Sequence, residues 1–384
     1  MCYPFLRQLN FSDRMPYFLS TLTFFLLLGV VVVVHELGHL IIARMNGVFC
    51  EAFSFGFGNI LFKKKDKKGT EWRISLYPLG GYVKMLGDAD VSSVREVMPE
   101  GYTEEDMERM SVHRKKPWQK LLIAAGGPFA NFIFAILVLF TLSTINGVPE
   151  YDNTITVTSE QNLAYKSGLR TGDVITKANG TEVNNFMDIA KQIKTSAGKN
   201  LKLELKRDGE TKEFNIEMFE RSGNDVKPIQ SLGISPKGFK YKKVSILQSA
   251  KSAILTTWHL ASSNISAVCK IATGSMSTKN IGGIISIFKV SSDSAEAGIV
   301  SFITMIAMIS IILGAINLLP IPVLDGGSIA IAAIEWIIGR PLNKKFVNVI
   351  FTVGLVAVVG LMLLGMWNDL VNIKFFSWVE SFIK

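Results

Sequence analysis

The chain has 384 residues, a formal net charge of +9, 48% hydrophobic residues and only 19% charged ones, with a mean hydropathy of +0.31. Soluble domains carry about 25% charged residues; the deficit excludes a disordered or heavily solvated chain, and several apolar runs beyond about 18 residues read as membrane-spanning helices. The lysines and arginines are dispersed between those runs, as the positive-inside bias produces, not gathered into a nucleic-acid face, so the expected partner is a lipid bilayer and not a nucleic acid.

Four spans are expected, at 17–43, 121–145, 299–319 and 346–366, the third continuing, broken, past Pro320 and Pro322. The first is too long for a signal-peptide core and reads as a retained anchor. Cys2, Cys50 and Cys269 stand far apart and support neither a cysteine zinc site nor a disulfide framework. Cations crowd two connections: Lys63, Lys64, Lys65, Lys67, Lys68, Arg73, Arg114, Lys115 and Lys116 after the first span, and Arg340, Lys344 and Lys345 before the fourth. The tails hold only Arg7, Arg14, Lys374 and Lys384. The cationic connections are therefore expected in the cytoplasm, with both termini and residues 146–298 outside.

The first connection carries two apolar, alternating arms at 53–84 around the cationic turn 63–69, readable as a β-hairpin or as a plain cytoplasmic loop. Between the second and third spans, 155–157, 201–205 and 213–218 read as strands, Asn179-Gly180 as a hairpin turn and 186–195 as a helix. The stretch from Ala164 through Ser167-Gly168-Leu169, Gly172-Asp173 and Asn179-Gly180 to Val183 resembles a PDZ domain; a generic small β domain is the alternative. Residues 244–272 read as an amphipathic helix, on the outer membrane surface or packed on that domain.

The strongest chemical signal is His35-Glu36-Leu37-Gly38-His39 inside the first span. A helix places residues i and i+4 on one face, about 6 Å apart along the axis, where two imidazoles can grip one zinc ion. Glu36 lies beside them, placed to take a proton from water. Three ionisable side chains in five residues of an apolar run mark function. A third ligand must come from elsewhere. His113 and His259 read as surface residues, whereas Asp325 follows Pro320 and Pro322 in an apolar run whose broken helix frees backbone to line a cavity. Topology agrees: the first and third spans run in the same direction, so His35, His39 and Asp325 reach one depth near the cytoplasmic ends.

The His35–His39 motif, the motif from Asn317 through Pro320, Pro322 and Leu324-Asp325-Gly326-Gly327, and the domain between them resemble the site-2 protease family of intramembrane zinc metalloproteases. The likeness extends to Gly80-Gly81-Tyr82-Val83-Lys84 and to Gly126-Gly127-Pro128-Phe129-Ala130-Asn131-Phe132, and points to the bacterial sigma-E regulator protease type, here with one PDZ domain where some relatives have two. Ser328 stands where many members have His, and Gly282-Gly283 where Gly-Pro is common. The resemblance implies zinc held by His35, His39 and Asp325, Glu36 as base, and substrate-binding or supporting roles at Asn131, Asn317, Gly80, Gly81 and Tyr82. Asn131 can bond substrate backbone or join helices; Asn317 can position Asp325 or another helix. Gly354 and Gly360 read as packing contacts.

The expected fold is a polytopic α-helical membrane protein of about four transmembrane helices, with a cytoplasmic-side β-hairpin region and an inserted extracytoplasmic PDZ (α+β) domain. Its expected divisions are 1–45 (tail and first span), 46–117 (hairpin loop), 118–146 (second span), 147–225 (PDZ domain), 226–298 (amphipathic segment), 299–340 (third span) and 341–384 (fourth span and tail). The expected activity is zinc endopeptidase cleavage of single-span membrane proteins already trimmed by another protease, of the anti-sigma-factor or signal-peptide-remnant type, in a bacterial inner membrane. The rivals are a catalytically inactive PDZ-bearing scaffold and a metal transporter; the complete His/Glu/His/Asp set opposes the first, and the apolar character of the other spans opposes the second.

Overall fold

The computed structural model describes residues 17–87, 103–222, 225–229, 231–276, 278 and 282–372. The tails, with Cys2, Arg7, Arg14, Lys374 and Lys384, and the expected placement of both termini lie outside the described residues. In chain order the elements are α1 (Tyr17–Met45), β1 (Cys50–Lys65), β2 (Glu71–Met85), α2 (Glu104–Met110), α3 (Pro117–Asn146), β3 (Val148–Tyr151), β4 (Ile155–Val157), α4 (Leu163–Lys166), β5 (Val174–Ala178), β6 (Thr181–Glu182), α5 (Phe186–Thr195), β7 (Asn200–Arg207), β8 (Glu210–Glu217), β9 (Phe219–Ser222), β10 (Asp225–Pro228), β11 (Ile234–Pro236), β12 (Phe239–Lys242), α6 (Ile246–Ala272), α7 (Ile284–Glu296), α8 (Ile299–Asn317), α9 (Asp325–Ile338) and α10 (Lys344–Asn372). They fall into two compact units, one at Ser143–Ser249 and one made of the helices and the β1–β2 sheet on either side of it in sequence.

Among the described residues, four helices are long and apolar enough to cross a membrane: Phe18–Met45, Pro117–Asn146, Ile299–Asn317 and Lys345–Val371. The third expected span is two helices. The N–H-free Pro320 and Pro322 end α8, and Val323 turns the chain with φ +82° so that α9 restarts at Asp325. In the helical unit, Leu27 and Val31 of α1 meet Phe302 and Ile306 of α8. On the other flank of α1, Leu40 and Ala43 join Cys50, Phe53 and Met85 of the sheet and Ile123 of α3.

The amphipathic helix expected at 244–272 is α6, and part of it packs inside the helical unit. Ala253, Thr257 and Ala261 recur every four residues and are buried. Ala261 packs with Ala135 of α3 and with Ala307, Ile311 and Ala315 of α8. Small side chains on all three helices let the backbones approach closely.

The β1–β2 hairpin is folded back on itself. Phe53, Ser54 and Phe55 pair with Val83, Tyr82 and Gly81, and also with Trp72, Arg73 and Ile74; farther along, Lys63, Lys64 and Lys65 pair with Arg73, Trp72 and Glu71. The bend falls at Gly56 and Gly58, whose φ values of +89° and +85° are open to glycine. Period-2 alternation could show two arms but not this doubling. At the turn, Asp66 accepts from Arg44 at the end of α1, from Trp72 Nε1 at 3.0 Å and from the Lys68 and Thr70 amides at 2.8 and 3.1 Å. The sheet is thereby fastened to the first helix.

The other unit is a small α+β fold. A four-stranded sheet of order β6-β5-β7-β8 lies beside the pairs β11-β4, β12-β3 and β10-β9. Its core includes Ile155, Leu169, Ile175, Ile189, Leu203 and Ile216. Asn179 and Gly180, both at positive φ, make the β5–β6 turn. Asp173, 1% exposed, takes two 2.7 Å bonds from Arg207 and one of 2.8 Å from the Arg170 amide.

A buried acid in α10 holds the start of α7. Asp369, 1% exposed, accepts from the Ile285 and Ser286 amides at 3.0 and 3.1 Å and from the Ser286 hydroxyl. Neighbouring Asn368 donates to the Thr278 carbonyl at 2.7 Å. The Gly354 backbone lies against Pro322, a packing contact as expected, while a Cβ added at Gly360 would meet nothing within 4 Å, so close packing does not require glycine there.

Candidate metal centre

His35 and His39 project from successive turns of α1, with ring centroids 4.9 Å apart. Asp325 reaches them from the first turn of α9, where the helix N-terminus favours a negative charge. His35 Nε2 lies 3.1 Å from Asp325 Oδ2, His39 Nε2 lies 3.3 Å from Asp325 Oδ1, and the two Nε2 atoms are 3.2 Å apart. Zinc bonded at about 2.0–2.1 Å in a tetrahedron sets its ligand atoms about 3.3 Å apart. Each imidazole nitrogen lies at about that distance from the other and from one Asp325 oxygen, Oδ2 for His35 and Oδ1 for His39. Asp325 Oδ2 is buried and accepts no hydrogen bond outside its His35 contact, which leaves lone-pair capacity for a cation. Among the described residues this is the group able to hold a metal ion.

The surroundings aim the imidazoles. His39 Nδ1 lies 2.8 Å from the Ile123 carbonyl. It donates there, which leaves the Nε2 lone pair for the ion. Asn131 is fully buried, with its amide 3.2 Å from His35 Nδ1 and its Oδ1 otherwise unpartnered. The two ends of an amide exchange by a half-turn; with Oδ1 toward the ring, Asn131 accepts the Nδ1 proton and fixes the second tautomer. The Asn131 carbonyl takes a 3.1 Å bond from Ser310 of α8, so the same residue joins helices through its backbone.

Asn317, at the end of α8, places its amide 3.4 Å from His35 Nε2, beside His35 and not behind Asp325. Glu36, half-buried, lies within electrostatic reach of His35, His39 and Asp325, and its carboxyl meets the Val83 backbone amide. Gly81 is the near residue of that strand: a Cβ there would stand 3.5 Å from Glu36 Cγ. Gly80 and Tyr82 are turned elsewhere. Gly80 lies under the Phe57 ring, while Tyr82 stacks with Phe57 and accepts from Arg73 at 3.3 Å. His113 and His259 are both exposed.

Two residues shape the site without a reactive group of their own. A Cβ at Gly127 would lie 2.3 Å from His39 Nε2 and 2.7 Å from His35 Nε2; only glycine lets α3 pass that close. A Cβ at Gly326 would lie 2.0 Å from the Leu319 carbonyl, so α9 can tuck under the turn only without one. The stretch Gly126-Gly127-Pro128 carries part of the family resemblance, but its closeness to the imidazoles needs the fold. Nothing local in the sequence marks the Ile123 carbonyl.

Residues 23–361 match the family model described as peptidase family M50. A protein of Agrobacterium fabrum named as a zinc metalloprotease is 32% identical over 90% of this chain and 94% of its own length. The metalloprotease MmpA of Caulobacter vibrioides is 33% identical, over 92% and 95%. A Rickettsia conorii protein, also named as a zinc metalloprotease, is 33% identical, over 92% and 99%. With a metal-binding group of two histidines and an aspartate inside its helical unit, the chain belongs to peptidase family M50, the site-2 proteases, and is a membrane zinc metalloprotease.

Proposed function

We propose that the chain cuts single-span membrane proteins within or at the edge of their membrane-spanning segments, with Glu36 as general base and His35, His39 and Asp325 as zinc ligands. The observation that carries this reading is the place of the ligand pair: His35 and His39 lie inside a 28-residue apolar helix, where a hydrolytic centre meets peptide bonds that soluble proteases do not reach. When bound, zinc supplies a Lewis acid for the scissile carbonyl and lowers the pKa of water.

The chain's own residues do the rest. Glu36 removes the proton of the attacking water and returns it to the leaving amine. Asn317 offers an amide N–H beside His35, placed to donate to the oxygen that becomes negative as the carbonyl is attacked. Asn131 and the Ile123 carbonyl hold the imidazoles in the required tautomers. A substrate helix must unwind before attack, since its carbonyls are already hydrogen-bonded. The 81–85 strand, next to Glu36, is suited to hold the unwound stretch by strand addition.

The unit at Ser143–Ser249 is read as a PDZ domain that admits or docks substrates already shortened by another protease. Anti-sigma factors and signal-peptide remnants are the proposed substrate types, and a bacterial inner membrane with this unit outside is the proposed setting. The test is co-expression with a single-span model substrate whose outer domain has been shortened. A product cut near the cytoplasmic end of the span, given by wild type and not by Glu36→Gln, supports the reading. A product from both removes Glu36 as base.

A further inference from the structure

The β3–β12 ribbon presents two unlike faces. Phe239 pairs with Tyr151, Lys240 with Glu150, Tyr241 with Pro149 and Lys242 with Val148. Strand alternation therefore collects Tyr151, Phe239, Tyr241 and Pro149 on one face and the charged residues on the other. The rings form a chain, Tyr151 to Phe239 at 5.9 Å and Phe239 to Tyr241 at 5.3 Å. Even so, Phe239 is 47% and Tyr241 48% exposed. An isolated two-stranded ribbon is marginal in water, so an aromatic face this open calls for a cover.

The chain's path says what the cover is. β3 begins two residues after the apolar α3 ends at Asn146, and β12 ends four residues before α6 begins at Ile246. At about 3.3 Å per residue, the start of the ribbon lies within about 7 Å of the end of α3, comparable with a headgroup layer about 5–8 Å thick. Tyrosines are enriched at that depth. Lys242 is paired with Glu150 at 3.1 Å, and Lys243 donates to the Ile145 carbonyl at the end of α3. Lys237, two residues before Phe239, is exposed and carries no ion pair among the described residues, which leaves its ammonium group for a phosphate.

We infer that the aromatic face of the β3–β12 ribbon is a lipid-binding surface, seated in the headgroup layer next to the second span, with Lys237 directed at anionic phospholipid. Rings and a cation at one depth fit a bilayer surface. A peptide partner would instead add along a strand edge and leave the ring face open.

The test uses the full chain with Cys2 and Cys269 changed to Ser and the buried Cys50 retained. A polarity-sensitive fluorophore is attached to Tyr241→Cys, to Pro149→Cys on the same face, or to Glu150→Cys on the opposite face, in nanodiscs of phosphatidylcholine with or without phosphatidylglycerol. Headgroup spin-labelled lipid should quench labels at 241 and 149 severalfold more than at 150, and aqueous iodide should do the reverse. Phosphatidylglycerol should deepen the lipid quenching at 241, and Lys237→Gln should abolish that increment. Equal iodide quenching on both faces overturns the inference. So does self-quenching at 241 that rises with the number of chains per disc, which would assign the face to a second copy.

Discussion

His39 Nδ1 lies 2.8 Å from the Ile123 carbonyl, a bond across 84 residues of sequence. It turns a backbone group of the second span into part of the metal centre. Removing a metal ligand and removing the base should therefore have separable effects. His35→Ala, His39→Ala and Asp325→Ala should each purify without the roughly one zinc per chain of the wild type. Glu36→Gln should keep its zinc and lose cleavage by about 10²-fold or more. Metal analysis of the purified variants beside a cleavage assay separates the two outcomes.

Asn131 predicts a smaller loss. Asn131→Leu leaves the His35 Nδ1 proton unpaired and should weaken zinc binding by about 10–100-fold. Chelator titration reads the change. Asn131→Asp, which can still accept that proton, should recover part of the loss; a residue that merely joined helices would not discriminate between the two.

Gly127→Ala should abolish zinc retention while the protein still inserts and migrates as wild type. The added carbon would stand 2.3 Å from His39 Nε2, closer than any real contact. Retained zinc together with full cleavage would show that α3 can shift aside at no cost.

Asp66 gives a pH dependence. Burial pushes its carboxyl up, but hydrogen bonds from Trp72, Arg44 and the Lys68 and Thr70 amides outweigh that and hold it well below the ordinary carboxylate range. A carboxyl depressed in the fold contributes stability that is complete above its unfolded pKa of about 3.9 and is lost as pH falls toward its folded value. Wild type should therefore melt higher than Asp66→Asn at neutral pH, by a constant margin down to about pH 5, and the margin should close below that. Melting in detergent across pH 3 to 8 checks the sign; a margin that widens in acid would reverse it.

In the smaller unit, Arg207→Ala strips the buried Asp173 of two bonds and should destabilise that unit by about 3–5 kcal/mol. Arg207→Lys should restore only part, because an ammonium cannot reproduce the two-pronged contact. Limited proteolysis of the membrane-embedded protein would show cleavage confined to 143–249.

The sequence disclosed the parts of the metal centre better than their neighbours. His35 and His39 announce themselves by helical spacing inside an apolar run, and the prolines before Asp325 announce a broken helix. Spacing could not say that Asn317 would sit beside His35, or that Tyr82 would turn to Arg73 and Phe57. Those outcomes depend on where the chain bends, at Val323 and at Gly56 and Gly58. The doubled pairing of Phe53 leaves no trace in a period of two. Asp369 was passed over for a related reason: an acid near the end of a span looks like an interfacial residue until the α7 amides are seen around it.

That acid bears on how the protein is assembled. Within its own helix Asp369 stands near the C-terminus, where the helix dipole disfavours a negative charge, while the N-terminus of α7 favours it. A carboxylate carried into a bilayer raises the cost of inserting a span by about 2.5–3.5 kcal/mol at the centre and less toward the surface. The amides that offset this belong to residues 84 and 83 positions earlier in the chain. α7 is therefore synthesised without its cap and receives it from a helix that emerges afterwards. Insertion of the fourth span and closure of the α7 end are one coupled event, and chains halted before Asp369 should carry α7 with a frayed first turn.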